Sequence, residues 1–437
     1  MSILLGSLNV IGAEIITLRE PLKGSKLADS QTNGTNRVDV TNQIEYVDYF
    51  EDILSPVCYL NIKLNSSNSL FSTLPIRGGE KVVIKLDTAQ GEWARDDDMG
   101  FYVYKVSDYA ADGMKETFVL KCVSVEGLTN ETTRCETKFA KATIDQHVTK
   151  ILKEVLQTEK FEESNIEKTA NTYTFIGNLK KPFHVLHWLA PKGVPVAGKS
   201  GTQGTQAQGT SGFLFYENKD GFNFKSIETL IGGTTNSDNT FFTYSYDNVI
   251  EHNSPTNELK ILDYKLNRNV DMLQSLRLGM YSNVSFFFDL YENKTEFYTY
   301  NLKDEIGGKL GTEDELVIPD GFETAPSRVL VRTADRGVLD PSGIAENSGR
   351  DTADMAKSFA RYNVLFSQSL NMVVPCNTEL KVGDVITALF PKVNMSNISD
   401  TDEEQSGKYL IKGLRHHFTA NSNVTYLSLI RDSYGLY

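Results

Sequence analysis

One β-rich pattern occurs twice in this chain, about 300 residues apart, and it constrains the fold more than any other feature. The first copy runs Leu60-Asn61-Ile62, then Gly79-Glu80-Lys81-Val82-Val83-Ile84, then Gly100-Phe101-Tyr102-Val103-Tyr104-Lys105. The second runs Leu370-Asn371-Met372, Gly383-Asp384-Val385-Ile386 and Gly407-Lys408-Tyr409-Leu410-Ile411-Lys412. The spacings are similar: 21 positions separate Gly79 from Gly100, and 24 separate Gly383 from Gly407. Each copy ends in an alternating strand, Glu116–Lys121 and Val424–Leu429. Two β-rich segments can resemble one another by chance, but the shared order of elements favours an internal duplication. A chain that carries one β-module twice suits symmetric assembly better than a single catalytic pocket. The repeat positions singled out are Gly79, Gly100, Tyr102, Gly383, Gly407 and Tyr409.

A length of 437 residues allows roughly two to four domains. The formal net charge of −13 argues against ordinary nucleic-acid binding, which draws its affinity from clustered Lys and Arg. Cys58, Cys122, Cys135 and Cys376 are scattered, with no CxxC pair; Cys58 and Cys122 lie in apolar runs and read as small buried hydrophobes. This usage implies synthesis in a reducing compartment. The start, Met1-Ser2-Ile3-Leu4-Leu5-Gly6, has no basic region, so no signal peptide is expected. No apolar run approaches the ~18 residues of a membrane-spanning helix.

Alternation and turn signals make residues 1–128 a β-domain of sandwich or barrel type, with Phe118, Leu120 and Cys122 sharing one face of its last strand. Composition then shifts. Thr143 with Gln146 forms a capping box ahead of the helical stripe Ile144, His147, Val148, Ile151, Leu152, Val155. A second short helix is expected after Pro182. Residues 198–212, rich in Gly, Ser, Thr and Gln, should form a mobile excursion. A hairpin follows, with an Asp220-Gly221 turn between aromatic strands. The expected organisation is 1–128 as a first β-barrel, 129–245 as a smaller α/β domain, 246–300 with 359–437 as a second β-barrel, and 301–358 as an insertion. A helix over 352–366, with the stripe Met355, Phe359, Tyr362, Phe366, leads into the second copy.

No convincing active site emerges. His184 and His187 stand one helical turn apart beside Trp188, yet no third ligand lies nearby at zinc-site spacing. His416 and His417 are adjacent in a strand, so their side chains take opposite faces. The acidic runs Asp96-Asp97-Asp98 and Asp400-Thr401-Asp402-Glu403-Glu404 read as solvated loop tips; a glycosidase would need two carboxylates at a set separation, one with a raised pKa. GxSxG, HExxH and P-loop motifs are absent. No enzyme activity, cofactor or metal is therefore expected.

The arrangement resembles the baseplate hub proteins of contractile-tailed bacteriophages of the T-even type, related to late-control and secretion-spike hubs. The resemblance is best in the C-terminal third. There a helix leads through Leu370-Asn371-Met372 to Leu380-Lys381-Val382-Gly383-Asp384-Val385-Ile386, then to Gly407–His416 and the strand Asn423–Ile430. It implies a mainly β protein with two tail-tube-like antiparallel barrels, forming a homotrimeric, pseudo-sixfold ring. That ring would be a structural part of the virion baseplate, assembled in the host cytoplasm. It would join the hexameric tail tube or tube-initiator proteins above to the cell-puncturing spike below, beside wedge and tape-measure proteins. DNA would pass through the lumen without specific binding, and an acidic ring would repel phosphate. The 198–212 loop and the 301–358 segment have no placed counterparts in this family. The alternatives are another tail adapter, such as a distal tail or tube-initiator protein, and more remotely a cell-wall hydrolase or a carbohydrate-binding protein.

Overall fold

The computed structural model describes residues 9–17, 37–67, 70–74, 76–88, 91–95, 99–196, 211–232, 242–246, 258–268, 271–290, 293–302, 310, 325–333, 351–392, 401–433 and 435. The first β-module comprises β1 (Asn9–Ile16), β2 (Arg37–Asp39), β3 (Ile44–Asp52), β4 (Tyr59–Ser66), β5 (Lys81–Thr88), β6 (Gly91–Arg95), β7 (Phe101–Asp112) and β8 (Lys115–Ser124). Its alternating residues sort by face: Leu60, Ile62 and Leu64 on β4, and Phe118, Leu120 and Cys122 on β8, are all buried, while Tyr59 and Asn65 face solvent.

The chain then builds an α/β part from β9 (Lys138–Thr143), helix α1 (Ile144–Lys150), β10 (Thr172–Ile176), helix α2 (Pro182–Leu189), β11 (Phe213–Asn218) and β12 (Gly221–Ser226). The capping box of Thr143 and Gln146 starts α1, and Pro182 occupies the first turn of α2. This part has its own apolar core around Phe139, Ile144, Val148, Ile151, Phe175, Leu186 and Phe222.

The second β-module comprises β13 (Thr243–Ser245) and β14 (Asp263–Arg268), and, after an intervening unit, β18 (Gln368–Pro375), β19 (Val385–Leu389), β20 (Gly407–Thr419) and β21 (Asn423–Arg431). The ladders run β3-β4-β8-β7-β5-β1 in the first module and β14-β18-β21-β20-β19-β13 in the second. The orders correspond strand for strand, except that β13 lies parallel to β19 whereas β1 is antiparallel to β5. Even the bulges match. The β7–β8 register slips between Val103 and Lys105, and the β20–β21 register slips between Ile411 and Gly413.

Two features differ from the expected organisation. Among the described residues no ladder closes either module into a barrel. Instead, β3 pairs with β20, and both modules join one 14-stranded sheet that also holds β2 and β6. One continuous apolar core lies under it, from Ile15 and Trp93 to Leu380 and Phe418. The second difference concerns β15 (Ser282–Asp289) and β16 (Lys294–Asn301), within the span expected in the second barrel. They pair with β17 (Arg328–Thr333) in a separate three-stranded sheet covered by helix α3 (Asp351–Leu365). Alternation identifies a strand but not the sheet it joins. The unit is pinned by a buried ion pair, Arg361 Nη1 to Asp432 Oδ2 at 3.1 Å, which ties α3 to the residue just after β21. Residues 198–210 of the glycine-rich loop, Asp96–Asp98, Asp400 and most of 301–350 lie outside the described residues.

Candidate assembly interface

Edge-to-edge union of two like modules is the feature with most bearing on function. β20 is long enough to serve two partners along one edge. Its first half, Gly407–Leu410, pairs with β19; its second half, Gly413–Thr419, pairs with β3. In the β3 ladder Arg415 stands opposite Phe50, His416 opposite Tyr49 and His417 opposite Asp48. On the solvent side the Asp48 carboxylate accepts two hydrogen bonds from Arg415, Nε to Oδ1 and Nη2 to Oδ2, both 2.9 Å. His417 Nδ1 lies 2.5 Å from the same Oδ1. Such two-pronged pairing fixes geometry as well as adding attraction. Lys412 adds a 3.1 Å pair to Asp52.

On the inner side His416 stacks on Tyr49, with ring centroids 6.1 Å apart and planes 9° from parallel, and its Nδ1 meets Thr425 Oγ1 at 2.8 Å. Burial, with the charges of Lys219 and Arg95 adding to it, drives the His416 pKa down to about 3. The two histidines thus do take opposite faces, as strand geometry requires.

Beneath the joint a chain of buried polar groups ties both modules to the β11–β12 hairpin. Arg95 donates from Nη2 to Tyr49 Oη at 2.7 Å, and Tyr49 donates to Glu51 Oε1 at 2.7 Å. Glu51 Oε2 accepts from Val382 N at 2.9 Å, reaching from β3 into the turn before β19. Arg95 also donates to the Lys219 carbonyl at the hairpin tip, at 3.0 Å. Glu217 Oε2 accepts from Cys58 N at 2.8 Å and Ser124 Oγ at 2.7 Å. Burial, then the nearby charge of Glu126, raises its pKa to about 7. Buried polar atoms are costly unless partnered, so this network selects one arrangement of hairpin and modules. The Glu51 signal was present in the sequence: it continues the Val47, Tyr49 alternation onto the buried face of β3.

The repeat positions occupy corresponding turns. Gly79 N donates to the Val103 carbonyl at 2.8 Å and Val103 N to the Glu80 carbonyl at 2.9 Å; in the second module Gly383 N donates to Ile411 O at 3.0 Å and Ile411 N to Asp384 O at 2.8 Å. Gly79 and Gly383 have φ of 91° and 90°, a region that favours glycine. Leu60 opposes Cys122, and Leu370 opposes Leu429, which places Leu60 and Leu370 in register. The turn hydrogen bonds match Val103 with Ile411, so the counterpart of buried Tyr409 is buried Phe101, while Tyr102 corresponds to Leu410. Gly407 has φ of 141° and closes on Arg431, whereas Gly100 has no positive φ.

The remaining candidates are not brought together. His184 and His187 are exposed on α2, and His187 packs its ring edge against Phe215. Among the described residues no three His, Cys, Asp or Glu side chains converge as metal ligands. Asp402 caps its own loop, accepting from Glu404 N and Gln405 N. No described helix is long and apolar enough to cross a membrane. A cleft of about 520 Å³ lies on the exposed side of the sheet, lined by Asp52, Tyr59, Lys265, Asn371, Arg415 and Tyr426 among others. Ladder partners share a face, so polar rows cross both modules there, such as His417, Asp48, Asn61, Lys121 and Lys105. With Lys265, Arg415 and Asp52 also on this side, negative charge is not concentrated on it.

No protein-family model matches the sequence, and no curated protein matches it. Similar solved structures are tail proteins. A tail protein from Neisseria meningitidis MC58 superposes with a TM-score of 0.51 at 10% identity, covering 96% of each chain. The 43 kDa tail protein of prophage MuSo2 from Shewanella oneidensis gives 0.47 at 9% identity, covering 92% of this chain and 97% of its own. A prophage tail protein from Listeria monocytogenes EGD-e gives 0.46 at 10% identity, covering 96% and 94%. The Neisseria superposition spans nearly all of both molecules, so the chain has the fold of a tail protein.

Proposed function

We propose that this chain is the baseplate hub of a contractile phage tail. Three copies form a ring of six equivalent β-modules, which joins the hexameric tail tube to the trimeric cell-puncturing spike and leaves a channel for DNA. The observation that carries this reading is the repeated ladder order, β3-β4-β8-β7 and β14-β18-β21-β20, joined side by side at β3 and β20. A subunit built of two like modules turns a threefold arrangement of chains into a sixfold arrangement of modules, which is the geometry an adapter between six and three requires. The tail-protein fold supports the same reading.

In this role the protein is structural and non-catalytic, resides in the virion baseplate after assembly in the host cytoplasm, and contacts spike and tube through the rims of the ring. The turns at Gly79 and Gly383, with Gly100, Tyr102, Gly407 and Tyr409 on the strands that follow, shape equivalent surfaces around it. The polar face of the shared sheet lines the channel. Because that face is not acidic, charge repulsion of DNA is no part of the proposal.

Native mass spectrometry of the purified protein, alone and with its spike, tests the reading. The expected species is a trimer of about three times 48.8 kDa. A concentration-independent hexamer would replace the hub by a tube-type adapter.

A further inference from the structure

The joint between β3 and β20 leaves its counterpart unused. By ladder order β14 is the equivalent of β3, and β7 the equivalent of β20. Like β20, β7 pairs along one edge first with β5, through Phe101 and Tyr102. The rest of that edge, Lys105–Asp112, meets no strand among the described residues. Like β3, β14 pairs with one strand of its own module, β18, but among the described residues nothing lies on its other edge. Each chain thus presents one free edge of each type, at opposite ends of the shared sheet. Unprotected edges of this length are ordinarily covered.

We infer that β14 of one copy pairs antiparallel with the second half of β7 of the next copy, reproducing between chains the β3–β20 joint made within one. The inference rests on the ring reading and specifies its contacts.

The register follows from the ladders. Tyr49 and Leu266 are equivalent, since each opposes the leucine, Leu60 or Leu370, that is matched between modules. Lys265 therefore takes the place of Asp48, and Asn267 that of Phe50. On the other strand Ser107 opposes Val119 as Arg415 opposes Tyr426, and Ala110 opposes Thr117 as His417 opposes Val424. Transfer of the internal pairs sets Ser107 opposite Asn267 and Ala110 opposite Lys265. Between them Asp108 and Tyr109 replace the single residue His416, a two-against-one bulge with Asp108 at φ of 54°.

Charge is complementary with its sign reversed. Within the chain an acid on β3, Asp48, is held by cations on β20; between chains a cation on β14, Lys265, meets the acids Asp108 and Asp112 of β7. Three copies joined in this way align three times the eight strands β14-β18-β21-β20-β3-β4-β8-β7 in a single closed sheet of 24. Closure removes every edge the joint leaves open.

Paired oxidation of cysteines tests the register, because directly opposed strand residues lie within disulfide range. The native Cys58, Cys122 and Cys135 are buried and free. The variant carrying both Ala110→Cys and Lys265→Cys should cross-link under mild oxidation into a covalent trimer, and neither single variant should. Asp108→Lys and Lys265→Asp should each weaken assembly about tenfold, and their combination should restore it. A trimer by native mass that neither cross-links at these positions nor responds to the charge swaps would overturn the joint and leave the ring reading standing. A protein that forms no trimer with or without its spike, and no cross-link, would overturn both. Cross-linked chains that grow past three would keep the joint and overturn the ring.

Discussion

Gly383 combines two requirements that no other residue meets. Its φ of 90° is strained for an L side chain, and a Cβ there would lie 2.3 Å from the hydroxyl of buried Tyr216. Gly383→Ala is expected to lower stability by about 1–3 kcal/mol, read as a shift of the denaturant midpoint at unchanged slope. Glu217 carries a second prediction. Its pKa rises from 4.5 to about 7 in the fold, so the native state retains a proton that the unfolded chain releases. Its stabilising contribution is therefore full below about pH 4.5 and lost as pH rises through 7. Relative to Glu217→Gln, the wild-type protein should lose stability across this window and differ by a constant amount above it, as thermal melts over a pH series will record. Both residues looked ordinary in the sequence. Gly383 was legible as a turn, but its neighbour Tyr216 lies more than 160 positions away, and Glu217 reads as the polar end of a hairpin strand.

Most of the strands were visible as elements. β4, β8, β18 and β21 follow from alternation of apolar and polar residues, and α1 from its capping box. The repeat was legible too, though one residue out of register at its ends: the ladders align Leu120 with Leu427, where the sequence pattern had aligned Leu120 with Ser428. Period-two patterns tolerate such a slip poorly in space but signal it poorly in sequence, because neighbouring β-branched and aromatic residues look alike. The elements also differ in how firmly they are held. Amides of Gly413–Thr419, paired on both edges of β20, should exchange slowly with solvent. Those on the outer edge of Lys105–Asp112 in β7 should exchange rapidly in the unassembled chain and become protected on assembly, which hydrogen-exchange mass spectrometry of the two states can check. At the other end of the molecule, removing one partner of the buried Arg361–Asp432 pair strands a charge at 1–2% exposure. Asp432→Ala should cost about 3–5 kcal/mol in equilibrium unfolding.

For the whole molecule, assembly and stability are linked. If copies bind through β14 and β7 only when folded, the trimer withdraws native chains from the unfolding equilibrium, and the melting temperature should rise with protein concentration. A melting temperature independent of concentration across the range where mass changes would contradict that linkage. By itself the sequence determined that the protein is mainly β, that a module recurs, and where its strands and turns begin, because those properties reside in local periodicity and in residues such as glycine whose backbone freedom is intrinsic. Only the tertiary structure decided that the modules share one sheet, that β15 and β16 leave it for α3, and that Asp48, Glu51 and Glu217 hold the joint. Pairing between strands more than 300 residues apart depends on which edges meet in space, and a strand's side-chain pattern describes its faces while leaving its edges, where the hydrogen bonds lie, unspecified.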